Sequence, residues 1–130
     1  MTRMIDRAEL VAELDQAKEG TRELDCEIHN SLTGRRCFVS GVFIKDTDGI
    51  GHLWDASDLV PHYTTSLDAK LPGETIIRVK MIAITTGNPW GWEAVHSQDG
   101  LANNSKYFVG RGHTEALARR IAALKARGAS

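Results

Sequence analysis

The chain has 130 residues, of which 42% are hydrophobic and 25% charged, enough to bury one core and too few for two. Its 16 Lys and Arg nearly balance 17 Asp and Glu. That balance excludes the overall field that holds extended nucleic acid or an anionic membrane surface, so an anionic ligand would need a local cluster. The opening Thr2-Arg3-Met4-Ile5-Asp6-Arg7 lacks the apolar run of a secretory signal, and no stretch reaches the ~20 apolar residues of a membrane span. A cytoplasmic location and no membrane partner are expected. Cys26 and Cys37 form no Cys-x-x-Cys element and are expected as free, mostly buried thiols.

From residue 6 to 18 the apolar positions Leu10, Val11, Leu14 and Ala17 recur with helical spacing, Asp6 is placed to cap and Gly20 to stop. A second helix is expected from Thr21, with Glu23 and Asp25 in its first turn and Leu24, Ile28 and Leu32 as its stripe, ending by Gly34. Residues 37–55 change to short runs of Val, Ile and Phe around Asp46-Thr47-Asp48-Gly49, which predicts a hairpin. Thr64, Thr65 or Ser66 offers a cap for a helix of one to two turns that Pro72-Gly73 terminates.

The β-branched content of residues 74–86 predicts a well-buried central strand, broken at Gly87-Asn88-Pro89. Alternation then puts Trp90, Trp92, Ala94 and His96 on one strand face, with Glu93, Val95 and Ser97 on the other. A turn at Gln98-Asp99-Gly100 and a last strand over residues 106–109 lead to a final helix capped by Thr114, with Leu117, Ile121 and Leu124 inward and small alanines beside them. Gly128-Ala129-Ser130 should fray.

The chemical signals are sparse. His29, His52, His62, His96 and His113 have no metal-ligand spacing, so neither metal nor cofactor is expected. No Gly-x-Ser-x-Gly elbow, Walker loop or dinucleotide fingerprint is present. His29-Asn30-Ser31 and His62-Tyr63-Thr64 share a His-x-Ser/Thr pattern that two-histidine phosphoesterases use in pairs, with imidazoles as acid and base. Those elements normally sit on paired strands, whereas His29 falls in a predicted helix. Trp90 and Trp92 could form a wall for a purine, each stack worth ~1–3 kcal/mol, or could belong to the core. Arg35-Arg36, Arg111 and Arg119-Arg120 concentrate positive charge, suited to phosphate or, in Glu115 and Arg119, to a helix-surface ion pair.

Tyr63-Thr64-Thr65-Ser66-Leu67-Asp68-Ala69, the Trp-containing strand after it, the closing Thr114-x-Ala116-Leu117-Ala118 with Ala122-Ala123-Leu124-Lys125-Ala126, and Arg22-Glu23-Leu24-Asp25 together resemble the phage αβα-sandwich domain family of small phage and prophage proteins. The resemblance covers residues 21–127, with residues 1–20 as an added N-terminal helix, and departs from the family pattern at the short Ala69-Lys70-Leu71-Pro72-Gly73. It implies an α+β fold, a single-domain αβα sandwich over residues 1–130 with a mostly antiparallel sheet. It further implies binding without turnover, in the manner of viral sponges that sequester cyclic ADP-ribose or cyclic oligonucleotides against Thoeris or CBASS immunity, often as homo-oligomers. Trp90, Trp92, Asn103, Asn104, Arg111, His113, Arg119 and Arg120 are the residues expected to supply such a site, with no catalytic residue. A two-histidine phosphodiesterase and a protein-interaction or virion accessory module are the alternatives.

Overall fold

The computed structural model describes residues 6–83, 91–97 and 107–128. Among them are the helices α1 (Arg7–Gln16), α2 (Arg22–Thr33) and α3 (Glu115–Gly128). The strands are β1 (Phe38–Ser40), β2 (Phe43–Thr47), β3 (Leu53–Asp55), β4 (Ile76–Ile82), β5 (Gly91–Ser97) and β6 (Tyr107–Gly112). The fold is α+β in one small domain, and every strand pairing is antiparallel, as the sequence leads one to expect. The strands form two sheets, β1-β2-β3 and β4-β5-β6.

Each helix begins where a short polar side chain can take an orphan amide. Asp6 accepts from the Glu9 N–H at 2.8 Å, Thr21 from Leu24 at 3.1 Å and Thr114 from Leu117 at 3.2 Å. The apolar stripes then meet: Leu10 and Leu14 of α1, Ile28 of α2 and Leu117, Ile121 and Leu124 of α3 share one core with Tyr63 and Leu71. A second cluster joins Cys26 on α2 to Cys37, Val39 and Ile44 beneath the first sheet. A third sets Ala118 and Ala122 of α3 against Ala94 of β5, with Val79 and Trp92 at its margin.

The approach of α3 to the second sheet is set by a missing side chain. A Cβ at Gly110 would lie 2.2 Å from the Ala118 carbonyl oxygen and 2.4 Å from the Ala122 nitrogen. Both are backbone atoms, so no rotamer change could relieve the overlap; glycine here lets the helix rest on the strand.

Three expectations are corrected. Residues 64–72 form turns and no helix. The side chain of Arg120, fully buried, donates to the carbonyls of Tyr63 (2.9 Å), Ser66 (2.6 Å) and Leu67 (3.1 Å). Asp25, also buried, accepts from the Thr64 N–H at 2.8 Å and its hydroxyl at 2.7 Å. Carbonyls and amides that a helix would use are held by two side chains from distant helices instead. Residues 37–55 make three strands rather than a two-stranded hairpin, because the chain also reverses at Gly41-Val42, where Ser40 pairs with Phe43. β4 is an edge strand and half exposed; the central, buried strand is β5. Aliphatic content fits a strand to a sheet but does not order it within one.

Candidate functional site

The register of the second sheet places Lys80, Glu93 and Arg111 side by side across β4, β5 and β6. In an antiparallel sheet such a row shares one face, here the face opposite Ala94 and α3. The Arg111 Nε donates to Glu93 Oε2 at 2.9 Å, and the Lys80 ammonium lies 3.6 Å from Glu93 Oε1. The Glu93 side chain is only 10% exposed, whereas those of Lys80 and Arg111 are 56% and 64% exposed. The carboxylate therefore anchors two cations whose heads remain open to solvent. Hydrogen bonding from Arg111, aided by the charge of Lys80, holds the Glu93 carboxyl below its ordinary range against the opposing effect of desolvation.

A cleft of about 540 Å³ opens over this row. Asp15 and Gln16, at the end of α1, form one wall, and Ile82, Ala83, Gly112 and His113 complete the described lining. The volume is that of a small-molecule site, and its lining is mostly polar. No described lining residue carries a hydroxyl or thiol. Glu93, with its proton affinity lowered by two cations, is a weak base. Lys80 and Arg111 can orient an anionic group here, beside the carboxylates of Glu93 and Asp15 and the imidazole of His113. Among the described residues no three His, Cys, Asp or Glu converge as metal ligands.

Of the residues expected to build a site, Arg111 and His113 line this cleft. Trp92 does not: it packs beside Ala94, Ala118 and Ala122 on the helix side of the sheet. Arg119 pairs with Glu115 at 2.8 Å along α3. Arg120 is occupied within the protein, paired with Glu74 at 2.7 Å as well as with the three carbonyls. Trp90, Asn103 and Asn104 lie outside the described residues. The two His-x-Ser/Thr elements do not sit on paired strands. His29 is in α2 and half-buried, and His62 is exposed in the turn segment.

Lys80, Glu93, Asp15 and Gln16 were not read from the sequence. Alternation along β5 separates Glu93 from Trp92, but which residues of β4 and β6 stand beside it depends on register. Compared with protein-family models, with curated proteins and with solved structures, the chain matches none. Among the described residues no helix is long and apolar enough to cross a membrane.

Proposed function

We propose that this protein is a non-catalytic binder of a nucleotide-derived small molecule and acts as a phage or prophage counter-defence protein that sequesters such an immune signal. The observation that carries the binding reading is the Lys80–Glu93–Arg111 row, two exposed cations braced on one nearly buried carboxylate inside a cleft of about 540 Å³. The counter-defence role is carried by the resemblance of residues 21–127 to the phage αβα-sandwich proteins. Arg111 presents the rest of its guanidinium fork to a phosphate and Lys80 adds a point charge, with His113 in the lining of the same cleft. Cyclic ADP-ribose isomers and cyclic di- and trinucleotides are the ligands this chemistry suits.

Calorimetry with that panel, followed by recovery of ligand after heat denaturation, tests the proposal. Binding with intact recovered ligand is expected, weakened at least ~10-fold in Arg111→Ala or Lys80→Ala as a charge-assisted contact is lost. A cleaved product would replace sequestration with a phosphodiesterase, and absence of binding across the panel would overturn both.

A further inference from the structure

We propose that the cleft selects guanine: Asp15 accepts from the two adjacent N–H donors of a guanine Watson–Crick edge while Lys80 and Arg111 hold a phosphate of the same ligand. This rests on the nucleotide-binding function proposed for the cleft and adds the identity of the base. Two cations, Lys80 and Arg111, and two carboxylates, Glu93 and Asp15, line the cleft. The carboxylates differ in their duties. Glu93 is nearly buried and engages both cations. Asp15 is exposed on the opposite wall and, among the described residues, has no hydrogen-bond or ion-pair partner.

Helix physics gives no reason for an acid at this position. Asp15 is the penultimate residue of α1, whose last turn carries no basic side chain. The unsatisfied carbonyls there make that end of a helix partly negative, which favours a cation and disfavours a carboxylate. Packing gives no reason either, because the side chain lies outside the core. A residue that opposes its own helix and lines a cleft is one whose identity the ligand sets.

The ligand's chemistry follows from what an ionised carboxylate can do. It only accepts, through two oxygens side by side. A second phosphate would be repelled by it, so the group that meets Asp15 must offer donors, best as an adjacent pair. Of the standard bases guanine alone does so, with N1–H next to its N2 amino group. Adenine and cytosine set an unprotonated ring nitrogen beside their amino group, and uracil flanks its one N–H with carbonyls. Those acceptors would face the carboxylate and be rejected by it. Gln16, the next residue in the same wall, carries an amide able to donate to guanine O6. A volume of about 540 Å³ suffices for one base together with its phosphate.

Calorimetry of the full chain with cyclic di-GMP, cyclic di-AMP and cyclic di-IMP tests this; the last keeps N1–H and O6 and lacks the 2-amino group. Cyclic di-GMP should bind at least ~10-fold more tightly than either of the others, the effect of one hydrogen bond to a charged group. Asp15→Asn should weaken cyclic di-GMP at least ~10-fold and abolish its margin over cyclic di-AMP, whereas Arg111→Ala should weaken both by a similar factor. The melting temperature of Asp15→Asn should not fall, since the negative end of α1 is relieved of a like charge. Equal affinity for cyclic di-GMP and cyclic di-AMP, or a guanine preference that survives Asp15→Asn, would overturn the guanine assignment and leave nucleotide binding standing. Failure of cyclic di-GMP to bind would also overturn it, and binding of cyclic ADP-ribose isomers or adenine cyclic nucleotides would then decide whether nucleotide binding falls with it.

Discussion

Arg120 of α3 and Glu74, which precedes β4, lie 2.7 Å apart with both side chains fully shielded from solvent. Burial pushes the Glu74 carboxyl upward even with the guanidinium beside it, so the pair owes its persistence to its full set of partners. Glu74 also accepts from the Leu71 N–H at 3.2 Å, and Arg120 reaches three carbonyls. Arg120→Met should destabilise the protein by about 3–5 kcal/mol, because it strands a buried carboxylate and frees the turn segment. Adding Glu74→Leu should recover part of that loss. Urea unfolding of the single and double variants measures both.

Asn30 performs a similar task for the entry to the first sheet. Its amide donates to the Cys37 carbonyl at 2.9 Å and its carbonyl accepts from the Cys37 N–H at 2.8 Å, all of it buried. Asn30→Ala removes both of these buried hydrogen bonds to the Cys37 backbone and should cost about 2–3 kcal/mol. Equilibrium denaturation gives the figure, and amide exchange at Cys37 should accelerate in the variant beyond its global loss of stability.

Gly110→Ala should force α3 away from β6, since the new methyl meets the backbone of Ala118 and Ala122. A loss of about 3 kcal/mol, at the upper end for overpacking, is expected. Near-UV circular dichroism should change as well, because Trp92 rests against the same helix.

His96 gives the fold a pH dependence. It is 4% exposed, and its Nδ1 accepts from the Thr75 N–H at 3.0 Å. Burial lowers its proton affinity in the folded state. The unfolded chain therefore binds more protons just below the ordinary histidine value of about 6.5, so this stabilisation is complete above that pH and is lost as pH falls through the folded value. Glu74, in the same small cavity, shifts the other way for the same reason. Comparison with His96→Asn, which keeps an acceptor toward Thr75, isolates the histidine. Between about pH 7 and pH 5 the wild-type melting temperature should fall more steeply than that of the variant.

The two thiols should be inert in the native protein. Cys26 and Cys37 are 3% and 1% exposed, and burial pushes their pKa up to about 12 and about 11. An aromatic disulfide reagent should label neither within minutes at neutral pH and both once denaturant is added. Rapid labelling of the native protein would contradict this account of the core beneath the first sheet.

How much of this was legible in the sequence depends on how far each interaction reaches along the chain. α1, α2 and α3 were readable because their caps, Asp6, Thr21 and Thr114, lie three residues from the amides they serve. The 64–72 segment was misread because its hydroxyls look like caps locally, while the groups that decide its path, Asp25 and Arg120, come from α2 and α3. The turn at Gly41-Val42 was missed because valine is a strand signal. Arg111 and His113, expected from residue type, both line the cleft. Lys80 and Glu93 join them only through a register that pairs positions on different strands. Trp92 was placed on the correct side relative to Glu93, but that α3 lies against it depends on close approaches between distant residues, Gly110 and Gly112 to the helix backbone among them.

The hold of Asp25 on Thr64 has a kinetic consequence. Thr64 lies 39 residues from Asp25, and its amide proton is bound by that carboxylate rather than by a neighbouring carbonyl. The amide becomes protected only when α2 has docked on the turn segment, an event of long loop closure that local helix formation cannot bring forward. Exchange at Thr64 should therefore be as slow as in the centre of the helices, giving a stretch without regular secondary structure the protection of the core and making it a reporter of late assembly.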